Sequence, residues 1–93
     1  MTFKLNKIYM ANEFCAHTAI ADKSIILNIE NGQYYELNST SSLIWGLLNE
    51  KKTAAEIISS ISNEYNVEDK VISKSVTNFL NSCLKLNFIQ ELE

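Results

Sequence analysis

Few side chains in this chain have the type and spacing that acid–base, nucleophilic or metal chemistry requires. His17 is the single histidine, and neither an obvious serine nor an acid stands next to it to form a catalytic pair. Cys15 and Cys83 lack the CxxC spacing and the nearby histidines of a zinc site. Two glycines in the whole chain cannot form a glycine-rich phosphate loop. The sequence therefore predicts no catalytic residue, no metal and no cofactor.

Length and charge limit the classes of partner. A chain of 93 residues is expected to form a single domain over 1–93, with residues 1–13 as an N-terminal segment. All eight basic residues are lysines and the net charge is -3, so arginine contacts to guanine or phosphate are missing and nucleic acid is not expected. We find neither a signal peptide nor the roughly 18 apolar residues of a membrane span. A cytoplasmic protein with reduced cysteines is expected, without a membrane partner.

Three segments have the pattern of β-strands: residues 14–20, 24–29 and 33–37. The turn Glu30-Asn31-Gly32 joins the last two into a hairpin. A two-residue loop would pair Ile29 with Tyr34 and scatter apolar groups over both faces. A three-residue loop pairs Leu27 with Tyr35, and we predict this second register. This register places Ile25, Leu27, Ile29, Tyr35 and Leu37 on one face of the hairpin. It places Ile26, Asn28, Tyr34 and Glu36 on the opposite face.

Three helical patterns follow the strands. The first begins at Asn38 or Ser39 and ends near Glu50, the second begins at the capping box of Thr53 and Glu56, and the third runs from 67 or 68 to about 86. Asn66 and Asn87 are predicted to end the second and third helices in the left-handed conformation. The predicted core positions are Leu43, Ile44, Leu47, Leu48, Ile57, Ile58, Ile61, Tyr65, Ile72, Val76, Phe79, Leu80 and Cys83, with Trp45 beside the first stripe. The order predicts an α+β, winged-helix-like fold, a three-stranded antiparallel sheet followed by three helices.

Several short motifs, in this order and spacing, resemble the PqqD-like family. They are the run 32–38 (Gly-Gln-Tyr-Tyr-Glu-Leu-Asn), Ile44-Trp45, Leu47-Leu48, the helix start 53–57, Val76, Phe79-Leu80 and Phe88-Ile89. The resemblance implies a winged-helix-like domain without catalysis of its own that recognises ribosomally synthesised precursor peptides. Many relatives carry aspartate where this chain has Ser75, leucine at Cys83 and glycine at Asn87. The change at Ser75 removes a charge from the implied groove.

The resemblance implies where a peptide binds. In the family the leader segment of the precursor adds a strand beside the third strand and packs against the third helix. On this chain the corresponding positions are Gln33, Tyr34, Tyr35, Glu36, Leu37, Val71, Lys74, Ser75 and Asn78. Tyr35 is expected to support the core, whereas Tyr34 is expected to be exposed. An exposed strand edge with a groove beside it supports this assignment independently.

The implied partners are the precursor leader peptide and a separate modifying enzyme or leader peptidase, in lasso-peptide or related biosynthesis. The protein is expected to be a monomer or a homodimer paired through the edge strand. One alternative is a winged-helix DNA-binding regulator, but acids near the start of the third helix offset its lysines and leave no basic face. The other alternative is a non-catalytic structural subunit of a modifying enzyme.

Overall fold

The computed structural model describes residues 3–20 and 23–92, which form two antiparallel sheets and three helices. The elements are β1 (Tyr9–Ala11), β2 (Cys15–Ile20), β3 (Lys23–Asn28), β4 (Tyr34–Leu37), α1 (Ser39–Leu48), α2 (Ala54–Tyr65), α3 (Asp69–Lys85) and β5 (Ile89–Glu91). Strands β2, β3 and β4 form a three-stranded sheet in that order. The predicted α+β fold, with this sheet followed by three helices, is confirmed.

A second sheet of two strands was not predicted. β1 pairs antiparallel with β5, with Tyr9 opposite Glu91 and Ala11 opposite Ile89. A single bridge between Ile8 and Thr53 continues the contact to the start of α2. Three-residue strands are too short to show a period of two, which explains why the sequence gives no sign of them. This small sheet holds the predicted N-terminal segment against the end of the chain.

The predicted helix ends are confirmed by their hydrogen bonds and dihedral angles. Asn38 caps α1 by accepting a hydrogen bond from the Ser41 amide at 2.8 Å. Thr53 and Glu56 form the reciprocal capping box of α2. Asn66 and Asn87 have φ angles of 53° and 61°, in the left-handed region. Across residues 3–20 and 23–92, every helix is too short or too polar to cross a membrane.

The core lies between the sheet and the helices, and it differs from the prediction on α1 and at the end of α2. Trp45 is only 4% exposed, whereas Leu43 and Leu47 are half-buried. α1 contacts β4, α2 and α3, so its buried stripe is wider and includes the tryptophan. Tyr65, predicted in the core, is 50% exposed. It is the last residue of α2, where the left-handed Asn66 turns the chain away.

The predicted hairpin register is wrong, and so is the alternative with a two-residue loop. The observed pairs are Ile26 with Tyr35 and Leu27 with Tyr34. Asn28 is the cause: its side-chain oxygen accepts hydrogen bonds from the Glu30 and Asn31 amides, at 2.9 and 3.3 Å. This stabilises a four-residue loop, 29–32, closed by a bond from the Gly32 amide to the Asn28 carbonyl.

The register decides which residues of β3 face the helices. Ile26 is fully buried and Asn28 is 6% exposed, although both were predicted on the opposite face from Leu37. Ile25 and Leu27 point away from the helices, because alternate residues of a strand face opposite sides. A buried asparagine is tolerated here because its side-chain oxygen accepts two hydrogen bonds from the loop.

Candidate functional site

Strand β4 is an edge of the three-stranded sheet, and its hydrogen-bonding phase can be read from the hairpin. The Asn28 amide donates to the Gln33 carbonyl at 2.8 Å. In an antiparallel ladder, bonded and non-bonded pairs alternate, so Tyr35 and Leu37 direct their backbone groups towards β3. Tyr34 and Glu36 direct their N–H and C=O groups to the outer side of the edge. Within the described residues, β4 thus presents an unoccupied pairing edge at Tyr34.

The two tyrosines of β4 have different environments, as the sequence led us to expect. Tyr34 is 68% exposed. Tyr35 is half-buried, and its ring meets the ring of Phe79 edge-on, with centroids 5.8 Å apart and planes at 72°. Aromatic pairs prefer this geometry because the positive edge of one ring meets the negative face of the other. The contact fixes the distance between the edge strand and α3.

A cavity of about 240 Å³ lies between β4, the start of α1 and the middle of α3. Three predicted site residues meet in it: Tyr35, Ser75 and Asn78. The other lining residues are Asn38, Thr40, Ser41, Ile44 and Phe79. None of the eight carries a charge, so the cavity combines an apolar base with neutral hydrogen-bonding groups. Such a lining suits an uncharged side chain and disfavours burial of a charge.

The remaining predicted site residues lie around this cavity and do not line it. Val71 is 57% exposed and Lys74 is exposed, both on α3. Gln33 belongs to the hairpin end, where its amide donates to Asn31 Oδ1 at 2.9 Å. The side chain of Leu37 is buried in the core and does not line the cavity. Glu36 is exposed at the edge.

Sequence reasoning missed the contribution of α1 to the cavity. Asn38 was identified only as a cap, and Thr40 and Ser41 were not identified at all. A signal was present, since the first turn of α1 contains no acidic residue, although acids are favourable at helix N-termini. The run of four small polar residues at 38–41 is consistent with the neutral wall that three of them form in the cavity.

The titratable groups of the described chain do not form a reactive centre. Burial raises the pKa of Cys15 to about 11 and that of Cys83 to about 12, so both are neutral thiols at physiological pH. His17 Nε2 lies 2.9 Å from Ser24 Oγ, a partner that the sequence hid because it comes from the next strand. This pair is exposed, and its cross-strand neighbours are apolar. In residues 3–20 and 23–92, no cluster of His, Cys, Asp and Glu could hold a metal.

The fold is shared with two solved structures that contain a leader peptide. The structure of "TbiB1 in complex with the TbiA(beta) leader peptide" superposes with a TM-score of 0.77 at 25% identity, over 89% of this chain and 96% of that one. A lasso peptide synthetase B1 complexed with the leader peptide gives 0.75 at 21% identity, over 91% of this chain and 98% of the other. No curated protein sequence matches. The model of the family described as coenzyme PQQ synthesis protein D (PqqD) matches residues 23–89, and the chain therefore belongs to the PqqD family.

Proposed function

We propose that this protein binds the leader segment of a ribosomally synthesised precursor peptide, in lasso-peptide or related biosynthesis. The observation that carries the proposal is the outward-facing backbone of β4 at Tyr34, directly beside a neutral cavity bounded by α3. Both similar structures contain a leader peptide. The whole of 1–93 is proposed to act as a single peptide-recognition domain.

Strand addition explains how the edge and the cavity work together. A peptide strand about 4.8 Å from β4 receives and donates backbone hydrogen bonds at Tyr34. Its side chains alternate, so every second one points towards the helices. One of these reaches the cavity beside Ser75 and Asn78, where the neutral lining selects an uncharged side chain. Backbone bonds provide affinity without sequence preference, and the cavity provides the selectivity.

Val71 and Lys74 contribute at the border of this site. Both are exposed on α3, at positions that an added strand passes before it reaches the cavity. Val71 offers an apolar contact, whereas Lys74 attracts a carboxylate of the leader. An exposed contact of this kind is worth little on its own, so Lys74 is proposed to tune selectivity more than affinity.

The bound precursor is presented to a separate modifying enzyme or leader peptidase, and the domain itself is proposed to be non-catalytic. The neutral thiols and the absence of a metal cluster in the described residues support this division of labour. Capture of the leader converts the second encounter into an intramolecular one, at an effective concentration of about millimolar for a short flexible connection.

The free edge of β4 can pair with a leader or with a second copy of the protein, so leader binding limits the oligomeric state. Pairing of two copies through β4 would use the backbone groups at Tyr34 that a leader needs. Leader binding and edge-strand dimerisation are therefore mutually exclusive. We propose a monomer as the binding-competent form, with any edge-paired dimer dissociating when leader is added.

The test is calorimetric titration with the leader half of a precursor encoded beside the gene, a scrambled peptide and a short DNA duplex. Ser75→Phe fills the cavity. Since burial of one apolar side chain stabilises by about 1.5–3 kcal/mol, its exclusion is expected to weaken leader binding by about 10- to 100-fold. Ser73→Phe is the matched control, because Ser73 is also half-buried on α3 but lines a separate depression beside Leu5 and Ile58.

Saturable binding of the leader alone, weakened by Ser75→Phe and not by Ser73→Phe, is the expected result. Equal weakening by both variants would show that the cavity is not the recognition site. Tighter binding of the duplex than of the leader would replace the proposal with the DNA-binding alternative.

A further inference from the structure

The side of the three-stranded sheet that faces away from the helices is unusually apolar. We call it the outer sheet face. The observed register places on it Phe14, Ala16, Thr18, Ile25, Leu27, Ile29, Tyr34 and Glu36. In an antiparallel sheet with one face on the core, the residues that point to the solvent-exposed face are normally polar. Here Ile29 is 64% exposed, Tyr34 68% and Phe14 40%, so the apolar groups form one surface open to water.

A contiguous apolar surface that is open to water is a candidate interaction site. We propose that the outer sheet face docks the enzyme that receives the leader-bound precursor, an inference that rests on the proposed function. Tyr34 connects the two surfaces, because its backbone lies at the pairing edge while its side chain lies on the outer sheet face. An enzyme seated there contacts the domain immediately beside the captured leader.

The charges around the face define the chemistry of this partner. Exposed carboxylates stand at its border on Glu13 and Glu30, and Lys23 is the single lysine in segments 13–19 and 23–37. The complementary surface is an apolar patch bordered by lysine or arginine. A second copy of this chain would bring carboxylates against carboxylates, which disfavours face-to-face self-association.

The size of the face also argues against a stable homodimer. Three strands at about 4.8 Å spacing, each with about five residues at 3.4 Å, cover roughly 250 Å². A stable interface buries about 800 Å² on each partner. Contact through this face alone is therefore weak. It becomes effective when the shared precursor already ties the two proteins together, as it does for an enzyme that holds the rest of the bound peptide.

The test separates leader capture from delivery. Ile29→Lys places a positive charge on the outer sheet face, and Ile29→Glu places a negative one. Leu5→Lys changes another exposed apolar residue, which lies beside the start of α2. Leader affinity is measured by calorimetry for each. Conversion of the full precursor by its leader peptidase or modifying enzyme is then followed by mass spectrometry at limiting domain concentration.

Leader affinity is expected to be equal in all three variants and the wild type. Conversion is expected to fall by at least about 10-fold in Ile29→Lys, less in Ile29→Glu, and not in Leu5→Lys. Unchanged conversion in Ile29→Lys would overturn the inference. So would sedimentation showing that the wild type dimerises and Ile29→Lys does not, since the face would then belong to a second copy. No leader binding by the wild type would instead refute the proposed function, and this inference with it.

Discussion

Replacement of Tyr34 by proline tests strand addition at the level of a single backbone N–H. The ladder phase directs the Tyr34 N–H away from β3, so proline at this position removes no hydrogen bond of the folded protein. Proline is compatible with an edge strand when its missing N–H faces outwards. The residue before it, Gln33, must then remain extended. The substitution therefore removes a donor that only the bound leader uses.

The expected magnitude comes from one lost hydrogen bond. A backbone bond contributes about 0.5–1.5 kcal/mol net, which corresponds to a 2- to 12-fold weaker Kd when about 1.4 kcal/mol is tenfold. The carbonyl of the leader that loses its donor stays near water at the edge, so the larger desolvation cost does not apply. Tyr34→Ala keeps the N–H and removes the side chain, and it is the reference against which Tyr34→Pro must be compared.

Fluorescence anisotropy with a labelled leader measures the affinities of the wild type, Tyr34→Pro and Tyr34→Ala. Thermal unfolding by circular dichroism checks that each variant is folded. A leader N-methylated at successive residues gives the complementary test, since only alternate residues of an added strand point their N–H groups at β4. Equal affinities for Tyr34→Pro and Tyr34→Ala, together with a flat N-methyl series, would refute strand addition at this edge.

Two further predictions concern the hairpin and the thiols. Asn28→Ala removes two hydrogen bonds to loop amides and is expected to lower the urea-unfolding free energy by about 1–3 kcal/mol. Asn31→Ala removes two hydrogen bonds to Gln33, one from its backbone amide and one to its side-chain oxygen, but both are exposed. It should therefore lower the unfolding free energy by less, and an equal loss would contradict the role given to the buried asparagine. In a Cys15→Ser variant, which leaves Cys83 as the single thiol, burial raises the pKa of Cys83 to about 12. Its thiol should therefore react with Ellman's reagent at pH 8 only on the timescale of unfolding, and rapid reaction of this folded variant would contradict that burial.

The elements of this fold were predictable because most of them have strong local signals. The capping box at Thr53 and the left-handed Asn66 and Asn87 fix the helix ends by residue type alone. The pairing of β1 with β5 joins residues about 80 positions apart through strands of three residues, and no local pattern specifies it. Local sequence signals therefore predicted the helices, whereas the long-range pairing of β1 with β5 became known only from the structure.

The candidate site also contains residues that the sequence predicted and residues that it did not. Tyr35, Ser75 and Asn78 were placed in it by their family positions, and the structure brings them to one cavity. Thr40 and Ser41 were missed because polar residues at a helix start are usually explained by capping. Capping and cavity lining are compatible, since Asn38 accepts from the Ser41 amide while lying at the cavity wall.

The error in the hairpin register has a functional consequence. The prediction gathered Ile25, Leu27 and Ile29 on one face with Tyr35 and Leu37, and it left Asn28 on the opposite face. In the structure Asn28 is buried and holds the loop, and the shift of one residue moves those three apolar residues to the outer sheet face. The apolar face therefore exists only because the loop has a buried polar anchor. The two proposed surfaces, the edge of β4 and the outer sheet face, depend on the same asparagine, so loosening the loop should weaken both leader capture and delivery.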